Sequence, residues 1–148
     1  MKHRGYVRLA AAVACLLGAV AERSQAQKAP GDSNGARSTM SGIFTNAQAA
    51  RGEDTYMSIC VGCHPAGTYT GSGFAASWGN RPLSELFSLI KETMPKVDPG
   101  TLSEQEIAQV IAYILKSNRV PAGKSELPTD VETLRNIRIE LPSMRRGK

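Results

Sequence analysis

All-α is the fold class that this 148-residue sequence predicts. Three segments repeat apolar residues at the helical spacing i, i+3, i+4, i+7. Proline and glycine gather between them, and no stretch alternates long enough to argue for a sheet. With 41% hydrophobic and 21% charged residues, the composition excludes collagen-like, coiled-coil and wholly disordered chains. No apolar run reaches the roughly 18 residues of a membrane-spanning helix.

The N-terminus reads as an export signal. Lys2, Arg4 and Arg8 precede the uncharged apolar run 9–21, and small residues follow at two cleavage points, after Ala21 and after Ala26. Cleavage after Ala26 is the expectation, with cleavage after Ala21 and a retained segment as alternatives. A lipid-modified Cys15 is disfavoured by the Ala12-Val13-Ala14 that precedes it. Residues 1–26 hold Lys2, Arg4, Arg8, Arg23 and Glu22, so most of the net charge of +5 lies there. The remainder has no basic stripe and no aromatic platform, which argues against nucleic acid as a partner.

Residues 27–42 are polar, rich in Gly and Ser and aperiodic, as in a flexible linker. A compact domain is expected over 43–123. Its first helix spans 46–60, with Thr45 and Gln48 offering a capping box and Gly52, Tyr56 and Ile59 on one face. The second spans 82–93, with Pro82 at the first helical position and Leu83, Leu86, Phe87 and Ile90 as its apolar face. The third spans 104–117. Ser103 and Glu106 form a capping box before the stripe Ile107, Val110, Ile111, Ile114 and Leu115, and Asn118 closes the end. Pro95 and Pro99-Gly100 separate the second helix from the third. Residues 124–148, with Pro128, Pro142 and a basic end, are expected to be a peripheral or disordered extension. About 75 residues are few for a core of aliphatic side chains alone, so a bound group would help the domain stay folded.

Cys60-Val61-Gly62-Cys63-His64 is the C-x-x-C-H spacing by which c-type haem is attached. On a helical turn i, i+3 and i+4 share a side, so two thiols reach two vinyl groups while the imidazole turns toward iron. A structural zinc ion needs four such ligands, and residues 27–148 hold only Cys60, Cys63 and His64. A thioredoxin-like C-x-x-C needs a βαβ setting that is absent, and a Cys60–Cys63 disulfide is unusual at this spacing on a helix. With His64 as the proximal ligand, the distal ligand must come from Met40, Met57, Met94 or Met144. Met57 shares the helix of the proximal ligand, and Met40 and Met144 fall in the flexible ends. Met94 stands before Pro95, which biases it to an extended backbone at the end of the second helix. Met94 is therefore the expected ligand.

From about Gln48 to Gly123 the chain resembles the small class I bacterial cytochromes c. The likeness rests on Gly52 and Tyr56, Cys60-Val61-Gly62-Cys63-His64, Met94-Pro95, Leu102-Ser103 and Ala112-Tyr113-Ile114-Leu115. It implies three to four helices around one covalent haem c, with the first and last helices crossing closely at Gly52 and Tyr56 packing near Tyr113. It also implies that Trp78, assisted by Arg81, reaches a haem propionate. The other reading makes Trp78 a packing residue and Arg81 a solvated one. A backbone carbonyl within 65–75 is expected to accept from the second His64 nitrogen. Lys91, Lys96 and Arg81 either ring the haem edge or are solvated.

His/Met ligation fills both axial positions, so the expected work is single-electron transfer without a small-molecule substrate. The expected partners are redox proteins: an exported dehydrogenase, a respiratory complex or a terminal oxidase, in the periplasm. If Met94 does not bind iron, an open-site haem enzyme or gas-binding sensor is the alternative.

Overall fold

The computed structural model describes residues 37–142. The export segment 1–26, residues 27–36 and the basic end 143–148 lie outside these described residues. Five α-helices follow one another: α1 (Asn46–Thr55), α2 (Gly71–Trp78), α3 (Leu83–Thr93), α4 (Glu104–Ser117) and α5 (Val131–Arg135). A five-residue wider turn, Tyr56–Cys60, continues α1. Two short strands, β1 (Arg37–Ser38) and β2 (Ile137–Arg138), pair in parallel with Arg37 opposite Ile137. The all-α class holds, and the strand pair is a small clasp between the two ends of the domain.

The α4 helix has the expected bounds because its local signals agree. The Ser103 hydroxyl accepts from the Glu106 N–H at 3.2 Å, and the Glu106 carboxylate accepts from the Ser103 N–H at 2.8 Å. The Ser103 hydroxyl, donating to the same carboxylate at 2.6 Å, and secondly the Ser103 N–H hold the Glu106 carboxyl below its ordinary range. At the other end, Asn118 donates its side-chain amide to the Ile114 carbonyl at 2.9 Å. Ile107, Val110, Ile111, Ile114 and Leu115 are all buried. The α3 helix begins one residue later than expected, with Pro82 as its extended N-cap rather than its first helical residue.

Only half of the expected Thr45–Gln48 capping box forms. Thr45 accepts from the Gln48 N–H at 3.0 Å, but the Gln48 side chain goes elsewhere. It is fully buried, donates to the Leu127 carbonyl at 3.1 Å and accepts from the Leu127 N–H at 2.7 Å. A buried amide must find partners, and here it satisfies both polar groups of an incoming peptide.

That contact belongs to a correction of the domain's limits. Residues 124–142 are neither peripheral nor disordered: Leu127, Leu134, Ile137, Ile139 and Leu141 are each at most 2% exposed. Residues 37–42 are likewise part of the domain rather than a linker. Thr39 is buried, donating its hydroxyl to the Glu140 carbonyl at 2.6 Å and accepting from the Glu140 N–H at 2.9 Å. Two more backbone bonds, Asn80 N–H to Ile139 O and Ile139 N–H to Arg81 O, fasten the extension to the start of α3. The reason is area: a core of helices 46–117 alone leaves an apolar flank, and the extension covers it. At the crossing of the two ends, a Cβ on Gly123 would lie 1.8 Å from the Gly42 carbonyl oxygen.

The α1 and α4 helices cross at the expected point. A Cβ on Gly52 would fall 1.8 Å from the Gln109 carbonyl oxygen, on backbone that cannot swing aside. Tyr56 and Tyr113 pack beside the crossing with ring centroids 5.2 Å apart. Gly52→Ala therefore forces the helices apart and is expected to cost more than about 3 kcal/mol, at the severe end of single substitutions. Thermal unfolding of the variant checks this; a melting temperature within a degree or two of wild type would contradict the close crossing.

Candidate haem site

The α1 helix widens before the Cys pair. The Val61 N–H donates to the Tyr56 carbonyl at 2.9 Å, a five-residue step of the kind found at functional sites. The next turn tightens: the N–H groups of Cys63 and His64 both donate to the Cys60 carbonyl, at 3.2 and 2.9 Å. One turn thus carries both thiols and the imidazole. Cys60 is half-buried and Cys63 exposed, and neither is in a disulfide. Burial pushes the Cys60 thiol up from its ordinary value.

All three residues line one cleft, with about 950 Å³ of empty space including its open mouth. Met94 lines the same cleft. Its N–H closes α3 on the Ile90 carbonyl at 3.0 Å, and its backbone is extended at φ −124° and ψ 147°. The residue before a proline is pushed to this region; the Met94–Pro95 peptide bond is cis. Of the other methionines, Met57 is half exposed and Met40 packs on the core in the turn 39–41, and neither lines the cleft. Met40 is thus not in a flexible end, and Met144 lies outside the described residues.

His64 is gripped by two tyrosines. The Tyr56 hydroxyl donates to the His64 carbonyl at 2.8 Å. Burial first, then the neighbouring Tyr69, Cys60 and Tyr113, push the Tyr56 phenol up to about 12, so it remains a donor at neutral pH. The Tyr69 hydroxyl lies 3.0 Å from His64 Nδ1. A side-chain hydroxyl, not the expected backbone carbonyl of 65–75, is the partner of that ring nitrogen. Neither tyrosine contact is legible in the sequence. The available signal was a hydroxyl five residues after the histidine, in a segment whose glycines argue for a turn.

The α2 helix was also unforeseen, because Gly71-Ser72-Gly73 opens it and glycine weakens a helix interior. It delivers Trp78 to the cleft wall. Arg81 does not line the cleft. Its guanidinium stacks 4.4 Å from the Trp78 ring centroid and pairs with Glu85 at 2.5 Å. Lys96 lines the cleft, whereas Lys91 is paired with Glu104 at 2.6 Å.

The walls suit a flat apolar ring. Leu86, Ile90, Leu102, Val110 and Ile114 supply aliphatic surface. Ile59, Leu89 and Val97 also line the cleft, yet are 43%, 44% and 93% exposed in the chain itself. Large apolar side chains left in water around one cleft mark a ligand or partner surface. Among the described residues, no three His, Cys, Asp or Glu side chains converge as metal ligands would. Two thiols on one turn, an imidazole beside them and a thioether on the same walls are residues that could hold a ring-bound iron.

Residues 47–114 match the family model described as cytochrome C oxidase, cbb3-type, subunit III. They form a c-type cytochrome domain. No curated protein and no solved structure matches the chain. The group this cytochrome domain carries is covalently bound haem c, and its work is electron transfer with redox partners. The matched span runs from the second residue of α1 into α4, so it contains the Cys turn, Met94 and the helix crossing. The extension 124–142 lies outside it. No helix among the described residues is long and apolar enough to cross a membrane.

Proposed function

We propose that the protein is an exported, periplasmic class I cytochrome carrying single electrons between redox proteins, its iron held by His64 and Met94. The observation that carries this reading is that Met94 shares the cleft with Cys60, Cys63 and His64. Cys60 and Cys63 would form the two thioethers, His64 the proximal bond and Met94 the distal one. The bound haem supplies the one-electron change of its iron. His64 and Met94 would hold the iron between them and leave no room for a substrate, and the aliphatic walls would exclude water. A neutral thioether favours the ferrous state. Trp78, on the cleft wall, would donate its indole N–H to a propionate, with Arg81 holding the indole by stacking. The donor or acceptor is an exported dehydrogenase, a respiratory complex or a terminal oxidase; the description of the matching family supports the last class.

The test is attachment and closure. Protein made in a host with haem-attachment machinery should retain one haem through acid–organic extraction, and Cys60→Ala or Cys63→Ala should lower the yield of loaded protein severalfold. The ferrous spectrum should not change on adding carbon monoxide. Apoprotein alone by intact mass would sink the reading, and ready carbon monoxide binding would move the protein to the open-site enzymes or gas sensors.

A further inference from the structure

We propose that Tyr69 positions the His64 imidazole and sets its donor strength toward the iron. This rests on the reading of His64 as the proximal ligand. An imidazole bound to iron through one nitrogen keeps its proton on the other, and that N–H needs an acceptor if the ring is to hold one orientation. The Tyr69 oxygen, 3.0 Å from Nδ1, is placed to accept it. The two rings are tilted by 50° with centroids 5.3 Å apart, so they meet through the hydroxyl and not by stacking.

Tyr69 is itself held from a distant element. Its carbonyl accepts from the Asn118 side-chain amide at 2.7 Å. The Gly71 N–H donates to the Asn118 side-chain oxygen at 3.0 Å. The same amide nitrogen donates to the Ile114 carbonyl, so Asn118 caps α4 and clamps residues 69–71 together. The contacts run from the end of α4 through Asn118 and Tyr69 to the imidazole. A neutral phenol oxygen is a weaker acceptor than a carboxylate. It fixes the ring while leaving the imidazole nearly neutral, and a nearly neutral imidazole stabilises ferric iron only moderately.

The experiment uses the full-length haem-loaded protein. In the ferrous wild type, nitrogen-15 histidine NMR should show one slowly exchanging Nδ1–H. Tyr69→Phe keeps the ring and removes only the acceptor. It should retain covalent haem, speed exchange of that proton at least tenfold, and raise the reduction potential. The shift should favour ferrous iron by up to about tenfold, which is about 59 mV for a one-electron couple. A merely structural Tyr69 would leave proton exchange and potential where they were. Fast exchange in the loaded wild type, or a Tyr69→Phe protein with unchanged exchange and potential, overturns the proposal while His64 ligation stands. Because the wild-type measurement needs no variant, a Tyr69→Phe chain that fails to load haem leaves it decisive. Loaded wild type in which no histidine proton belongs to an iron-bound ring overturns the function reading and this proposal together.

Discussion

Met94→Ala should abolish the weak sulfur-to-iron charge-transfer band of the ferric protein, lower the reduction potential and let the ferrous iron bind carbon monoxide. The expectation follows from place and chemistry. Met94 ends α3 with an extended backbone and lines the cleft that also holds His64. Removing a soft neutral ligand removes a preference for ferrous iron. Axial ligands spread haem potentials over about 0.8 V, so the fall should be far larger than any change made at Tyr69. The two thioethers and His64 should still hold the haem, so folding survives in part. Met57→Ala is the matched control: its side chain is half exposed and outside the cleft, and band and potential should stay. An unchanged band and potential in Met94→Ala would show that the sulfur does not reach the iron.

Ending the chain after Gly123 should prevent the haem-loaded domain from accumulating. The cut removes Leu127, Leu134, Ile137, Ile139 and Leu141, all essentially inaccessible to water. At about 1.5–3 kcal/mol for each buried aliphatic side chain, the loss is on the order of 10 kcal/mol, as large as the whole stability of many domains. The cut also leaves the buried Gln48 amide without either Leu127 partner, a further penalty. Haem absorbance of the exported fraction and thermal unfolding of whatever accumulates are the measurements. Leu134→Ala in the full-length chain gives a graded version, expected at about 2–5 kcal/mol. Wild-type absorbance and melting from the truncated chain would show that the extension lies over the core without completing it.

The placement of the candidate site's residues was legible where it is set locally. Cys60, Cys63 and His64 are fixed by spacing on one turn, and Met94 by the proline that follows it. The same holds for α4, whose Ser103–Glu106 box, apolar stripe and Asn118 cap all act within a few residues. Gly52 belongs to the same class only in part: the sequence named it, but the oxygen that forbids a side chain there is on Gln109, in another helix.

What only the tertiary structure decided depends on partners far along the chain. Gln48 looked like the second half of a capping box, yet its amide is claimed by Leu127 because burial leaves it no water. The extension looked peripheral because two prolines and mixed charge broke every helical period. The signal was a period of two: Ile137, Ile139 and Leu141 turn inward while Arg138 is exposed. Five residues of alternation are too few to argue for a sheet alone, and their strand pairs with Arg37 and Ser38, about a hundred residues earlier. Tyr69 was overlooked for the same reason. Its hydroxyl meets His64 while Asn118, the residue that caps α4, holds the Tyr69 and Gly71 backbone from about fifty residues away. Sequence alone determined the turn that carries Cys60, Cys63 and His64, the place of Met94 at the end of α3 and the last long helix, since each is set by neighbours within a turn or two. Folding decided the extension, the buried amide and the tyrosine on the histidine, since each is set by which distant surface is left to cover.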